Sequence, residues 1–452
     1  MDPNNAFKPP HGGANHASAY ATAGNSNSDA SANPTASLSD GSAQGESEKA
    51  VAPAPTTFPD GGLRAWSVAA GHAGAMFCTF GYINSFGIYE EYYASHQLKD
   101  SSSSAISWIG SLNLFFVFVG SLFGGPMFDR YGGKVILPAA LVYVFSIMMT
   151  SLCHELWQFI LAQGLLGGIS LGMTMGPANA ATPQYFQKRG AAVGLAVAGS
   201  SVGGVVFPIA LGKMFASPNV GFAWAVRICG FIILAVLGPS SLLIRPRLPP
   251  RKSNLFLPSA FKDVQFLSLT AALFCLFIGM FVPIFYIPTY AISQGMSSGL
   301  AFYLVAILNA ASLPGRILPG ILSDKLGRLN CLILAAASTG IVILCWSRVH
   351  SNAAIIVFTA VFGFTSGAIF SAGSVSFASV PKDPRNIGTY MGMGLGTSSV
   401  AALIGPPVNG VLVSTYGGYN QVAIFSGVFC LAGGAFTLIA KWSGGKGLLS
   451  KN

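Results

Sequence analysis

The sequence predicts an all-α membrane protein: twelve transmembrane helices in two pseudo-symmetric six-helix bundles. Three observations predict it. Twelve long apolar stretches follow one another from Leu63 to Trp442, and hardly a charge lies inside any of them. The chain is 52% hydrophobic and only 8% charged, against about 25% charged residues in a soluble domain. Its second half also repeats local patterns of its first half at a near-constant offset. A hydrocarbon core about 30 Å thick needs roughly 20 apolar residues per helical crossing. Backbone polar groups at that depth must be bonded internally, so each stretch has to be helical.

In order along the chain, residues 1–58 are rich in Ala, Ser, Asn, Gly and Pro and show no hydrophobic period. Such a segment cannot bury enough apolar surface to offset its ordering entropy, so a disordered tail is expected. It has no hydrophobic signal-peptide core. The first six spans are expected at 63–89, 105–127, 134–152, 156–178, 189–215 and 221–244. They form an N-terminal bundle over 59–245, followed by a basic linker, 246–264. The second six are expected at 265–292, 299–322, 330–347, 353–376, 387–414 and 420–441, a C-terminal bundle over 265–442 with a short tail, 443–452. Several spans exceed 20 residues, which tilt absorbs.

Lys and Arg set the expected orientation. One set of connections and the C-terminal tail hold about sixteen basic residues, from Arg130 and Lys134 through Arg251 to Lys451. The alternate connections hold four, Lys99, Lys213, Arg227 and Arg348. The basic side is therefore expected to be cytoplasmic, and with an even number of spans both termini lie there. The net charge of +10 is spread over short turns, with no patch or arm for nucleic acid. Seven cysteines lie in or beside apolar segments without metal-ligand or disulfide spacing.

The duplication is explicit. Gly125-x-x-x-Asp129-Arg130-Tyr131-Gly132 after span 2 returns as Gly320-x-x-x-Asp324-Lys325-Leu326-Gly327 after span 8, 195 residues later. Ser200-Ser201-Val202 and Pro208 return as Ser398-Ser399-Val400 and Pro406, 198 residues later. Internal repeats of this size mark secondary transporters, with the substrate near the midplane between halves. The Gly-x-x-x-Asp-Arg/Lys-x-Gly signature resembles the major facilitator superfamily. Pro59-Asp60-Gly61-Gly62 before span 1, and Tyr185-Phe186-Gln187-Lys188-Arg189 with Gly194, Ala198, Gly199 and Gly203 behind it, resemble motifs of the monocarboxylate-porter family within it. Leu63-Arg64-Ala65-Trp66, with one extra residue, resembles the fungal branch. The resemblance covers roughly 59–442 and implies a major facilitator fold. That branch includes riboflavin and organic-acid carriers and metabolite efflux pumps.

Within this frame Asp129 and Asp324 can cap the helix that follows each and attract a cation from a neighbouring helix end. With Arg130, Arg189, Lys325 and Arg385 they form a candidate interdomain latch, because two rocking halves need a breakable polar clasp. Intramembrane ionisable groups default to function. Arg316 in span 8 is the foremost candidate, able to bind a carboxylate through paired hydrogen bonds. It aligns with the family's substrate-linked arginine. Two departures from the family argue against a lactate carrier: where the resemblance implies an acidic residue one turn earlier stands Ser312, and where it implies a lysine late in span 1 stands Asn84. His72 in span 1 either relays protons or bonds a neighbouring helix. No Asp or Glu falls inside a proposed span, since Glu90 and Glu91 lie at the outer end of span 1. Asn84, Asn309 and Tyr286, with the span-7 aromatics Phe281, Phe285 and Tyr290, are candidates to line a pocket.

The expected function is secondary transport of a small organic or heteroaromatic, anionic metabolite by alternating access, either uptake or efflux. The expected setting is a monomer in the cell membrane, without cofactor or metal. The competing reading is a non-transporting sensor on the same scaffold. Nothing in the sequence forms a nucleophile–base pair or a nucleotide-binding loop, so an enzyme is not expected.

Overall fold

The computed structural model describes residues 58–251 and 254–444, and among these no β-strand occurs. The expected tails fall outside the described residues, apart from Phe58 and the last turn at Ser443–Gly444. Twelve helical crossings can be traced. α1 runs over 63–95 in three pieces, Leu63–Cys78, Phe80–Ile83 and Phe86–Ser95. α2 is Ser103–Tyr131, α3 is Ile136–Thr150, and α4 runs over 156–181. α5 is Arg189–Phe215, α6 is Gly221–Leu243, α7 is Val264–Ser293 and α8 is Ser298–Leu326. α9 is Arg328–Leu344, α10 is Asn352–Ala378, α11 is Ile387–Tyr416 and α12 is Asn420–Ser443.

Only ten helical runs among the described residues are singly long and apolar enough to cross a membrane. The difference from twelve has two physical causes. One run, Ser103–Thr150, is 48 residues long, roughly 70 Å if straight. It folds back at Gly132, whose φ of 70° only glycine adopts easily. Asn113 of α2 and Ser146 of α3 consequently both meet Gly167 of α4, so the run contains two antiparallel crossings. The other cause is the broken α1, whose longest piece has 16 residues. Thr79 Oγ1 donates to the Ala75 carbonyl at 2.7 Å and Asn84 Nδ2 to the Phe80 carbonyl at 3.0 Å. Side-chain bonds back to the i−4 carbonyl compete with the helical ladder and bend it. The sequence reading of one continuous helix over 63–89 missed these breaks. α4 is also irregular, with a π-helical segment, Ile160–Gly167, before Gly168–Ala181.

The two halves repeat one packing pattern. α1 packs on α5 as α7 packs on α11, α2 on α4 as α8 on α10, and α3 on α6 as α9 on α12. Two seams, α2–α11 and α5–α8, join the halves. Small residues let these helices approach closely. A β-carbon on Gly125 of α2 would sit 2.1 Å from the Gly388 carbonyl oxygen of α11, so any larger residue must part that seam. Large apolar side chains such as Leu141, Phe145, Leu334 and Val357 face outward and are more than half exposed. They form the surface that a lipid-embedded bundle requires.

Candidate functional site

Between the halves lie two clefts that share Phe80, Arg316 and Phe370. The outer one is lined by Asn84, Glu90, Phe281, Phe285, Asn309 and Ser312 among others. It continues past Glu90 and Phe285 to a mouth beside Ser107, Tyr286 and Thr289. The inner one extends toward the basic end between α1, α2, α4, α7, α10 and α11. Phe80 of α1 and Phe370 of α10 meet edge-to-face at 5.5 Å where the clefts join.

Arg316 stands at that junction and is 4% exposed. Its Nη1 donates to the Val197 carbonyl at 3.0 Å and to the Ser200 hydroxyl, both on α5 across the seam. Its guanidinium lies 4.9 Å over the Phe370 ring. Its Nε is buried with no acceptor. The single ion pair among the described residues is Arg385–Asp383, so no carboxylate neutralises Arg316. Leaving a buried charge unpaired is costly, and a guanidinium so placed is chemically able to bind an anion through paired hydrogen bonds. One turn away Ser312, standing where the family has an acid, shares a 2.7 Å hydroxyl contact with Ser201 of α5. Asn84 and Asn309 are brought together, with Asn84 Nδ2 donating to Asn309 Oδ1 at 3.2 Å. Tyr286 sits apart at the mouth, donating to the Pro406 carbonyl at 3.2 Å. Tyr290 lines neither cleft, because it is packed against Trp346 and Tyr419.

His72 is fully buried between α1 and α4. Its Nε2 donates to Asn179 Oδ1 at 3.0 Å, which leaves Nδ1 of the neutral ring to accept from the Thr182 hydroxyl at 2.9 Å. Asn179 in turn lines the inner cleft. His72 itself faces its own half and holds Asn179 in place.

At the basic end the halves are pinned. Asp129 of α2 accepts from the backbone N–H of Gly388 (3.2 Å) and Thr389 (2.6 Å) and from the Thr389 hydroxyl (2.9 Å) at the start of α11. Asp324 of α8 accepts from the N–H of Gly190 (3.1 Å) and Ala191 (3.2 Å) at the start of α5. Each carboxylate caps a helix of the other half, where the sequence suggested the helix that follows it. A helix start offers unpaired N–H groups and a positive dipole end to any acid within reach. The expected cations sit elsewhere. Arg189 donates to the Ala378 carbonyl of α10, another contact across the halves. Arg385 pairs with Asp383 in its own turn at 2.9 Å. Arg130 lies over Tyr131, and Lys325 is exposed. Arg251 of the linker, not anticipated from sequence, joins Asp129 to α11: its N–H donates to the Asp129 carbonyl at 2.8 Å and its Nη1 to Asn386 Oδ1 at 3.0 Å. Burial pulls its guanidinium pKa down, and the Asp129 carboxylate opposes that pull.

Phe370, Phe118, Phe277 and the methionines of the inner cleft also escaped sequence reading. An aromatic or Met in an apolar helix looks the same whether it faces lipid or cavity. The two family-like motifs, far apart in sequence, meet in space. Asp60 accepts from the N–H of Gln187 and Lys188, and Trp66 packs edge-to-face on Phe186 at 5.3 Å.

The family model described as Major Facilitator Superfamily matches residues 72–347 and 315–446. The aspyridones efflux protein apdF of Emericella nidulans is 52% identical over 402 residues, covering 88% of this chain and 82% of that protein. The agnestins efflux protein AgnL12 of Paecilomyces divaricatus is 40% identical over 395 residues, covering 86% of this chain and 90% of that one. Among solved structures, the E. coli fucose:proton symporter FucP aligns with a TM-score of 0.60 at 15% identity, over 82% of this chain and 98% of that one, a likeness of fold.

Proposed function

The chain belongs to the Major Facilitator Superfamily, a family of membrane transporters and not of enzymes, and from that premise we propose that it exports an anionic organic metabolite by alternating access. The observation that carries this reading is Arg316: buried, without a carboxylate, at the junction of two clefts between the halves. The pinned basic end and the open opposite mouth support one stage of the cycle, with cargo exposed on the non-basic side. Taking the basic end as cytoplasmic, both termini lie on the cytoplasmic side of the cell membrane and this stage faces outward. The reverse stage requires Asp129 and Asp324 to release the starts of α11 and α5, and we assign them and Arg189 to the cytoplasmic latch. Efflux as the direction is supported by the relatives, two of which are named as efflux proteins for aspyridones and agnestins. Kinship with the fungal branch of the monocarboxylate porters is supported by the paired motifs around Asp60 and Tyr185, not by the substrate residues, since Asn84 and Ser312 replace the charged pair.

The test is a flux screen of organic anions in proteoliposomes, with and without a pH gradient, comparing the natural chain with Arg316→Ala. The expected result is a fall of about tenfold or more for every anion that is carried. Unchanged flux in the variant would remove Arg316 from the site.

A further inference from the structure

The inner cleft narrows the cargo further, on the basis of the anion reading above. We propose that the cargo is an amphipathic anion: one acidic group held at Arg316 and an apolar body of aromatic-ring size or larger lodged in the inner chamber. The walls of that chamber carry Phe118, Phe277, Met175 and Met391, and among the described residues the only polar side chains besides Arg316 are Asn179 and Ser374. Asn179 already has its carbonyl oxygen engaged by His72. Ser374 Oγ already donates to the Phe370 carbonyl at 2.8 Å. What remains, the Asn179 Nδ2 donors and the acceptor side of the Ser374 hydroxyl, falls short of the dense hydrogen-bond set that a sugar or polyol needs on losing its water. Among the described residues no acidic side chain lines the inner chamber, so the ammonium of an amino acid has no counter-charge there. One guanidinium serves one anion, which disfavours a dicarboxylate. A small hydrated acid would leave the carbon walls facing water, whereas an apolar body gains the full burial term. The methionines can adapt to several such bodies, because their unbranched thioether side chains repack easily. The place of Arg316 at the Phe80–Phe370 junction sets the orientation, with the acidic group toward the outer cleft and the body toward the basic end.

Sulfonates test this without passive leak, because they stay charged at any working pH. Binding of naphthalene-2-sulfonate and methanesulfonate to the purified full chain in lipid nanodiscs would be measured by titration calorimetry. The expected result is an affinity about thirtyfold or more in favour of the naphthalene compound. Met175→Asn should cut that preference about tenfold, and Met391→Gln serves the same purpose if Met175→Asn does not yield a monodisperse protein. Arg316→Gln should weaken both compounds. Equal affinity for the two sulfonates, an undiminished preference in the methionine variant, or no binding of either would overturn the proposal. Arg316-dependent flux of a small hydrophilic acid such as lactate would also overturn it, while leaving the transport reading intact. Flux that does not depend on Arg316 would instead strike the transport site itself.

Discussion

Replacing Asp129 by Ala should unlock the basic end. The carboxylate accepts three hydrogen bonds from the start of α11, two from N–H groups and one from the Thr389 hydroxyl. All three are made across the seam and must be broken for the halves to part. On opening, both sides regain water, so the net worth of each is about 1 kcal/mol and not its gas-phase value. The sum, about 3 kcal/mol, corresponds to a shift on the order of 100-fold in the ratio of closed to open states. Ser374 lines the inner chamber behind this seam. A Ser374→Cys reporter would be placed in a Cys345→Ser background, since Cys345 is the one exposed cysteine among the described residues. Its rate of labelling by an impermeant maleimide applied from the basic side should then rise on the order of 100-fold with Asp129→Ala. Asp324→Ala removes two bonds at the other seam and should act in the same direction but less. If either variant, still monodisperse, is labelled no faster from that side, the carboxylates are ordinary helix caps and the latch assignment fails.

Two further outcomes follow from the packing. Gly199→Ala should lower the thermal midpoint by several degrees, because a β-carbon there would stand 2.1 Å from the Ala73 carbonyl oxygen and overpacking costs about 1–3 kcal/mol. An unchanged midpoint by scanning calorimetry would mean that α1 and α5 separate at little cost. His72→Gln should lower stability by about 1–2 kcal/mol through the loss of one of its two hydrogen bonds. It should leave the pH dependence of flux unaltered, and disappearance of that dependence would assign His72 the proton relay.

Much of the architecture was legible because lipid constrains it so narrowly. Each apolar run had to become a helix, and the observed ends of α5, Arg189–Phe215, coincide with the span expected at 189–215. The repeated Gly-x-x-x-Asp-x-x-Gly signature pointed correctly to turns at Gly132 and Gly327, both with positive φ. Hydropathy does not register local competition for hydrogen bonds. The breaks in α1 at Thr79 and Asn84 and the π-helical stretch of α4 therefore stayed hidden in stretches that read as uniform.

By itself, then, the chain determined its solvent, its number of crossings and its twofold repeat, because burial in hydrocarbon leaves the backbone few alternatives. The tertiary structure alone decided which partners the charged groups meet. Asp129 and Asp324 found amide groups of the opposite half in place of cations, and Arg316 found a serine, a carbonyl and an aromatic face in place of a carboxylate. The physical reason is that a helix start or a ring face attracts charge only at contact distance. Contacts between residues more than a hundred positions apart depend on how the two bundles dock, which no periodicity along the chain encodes.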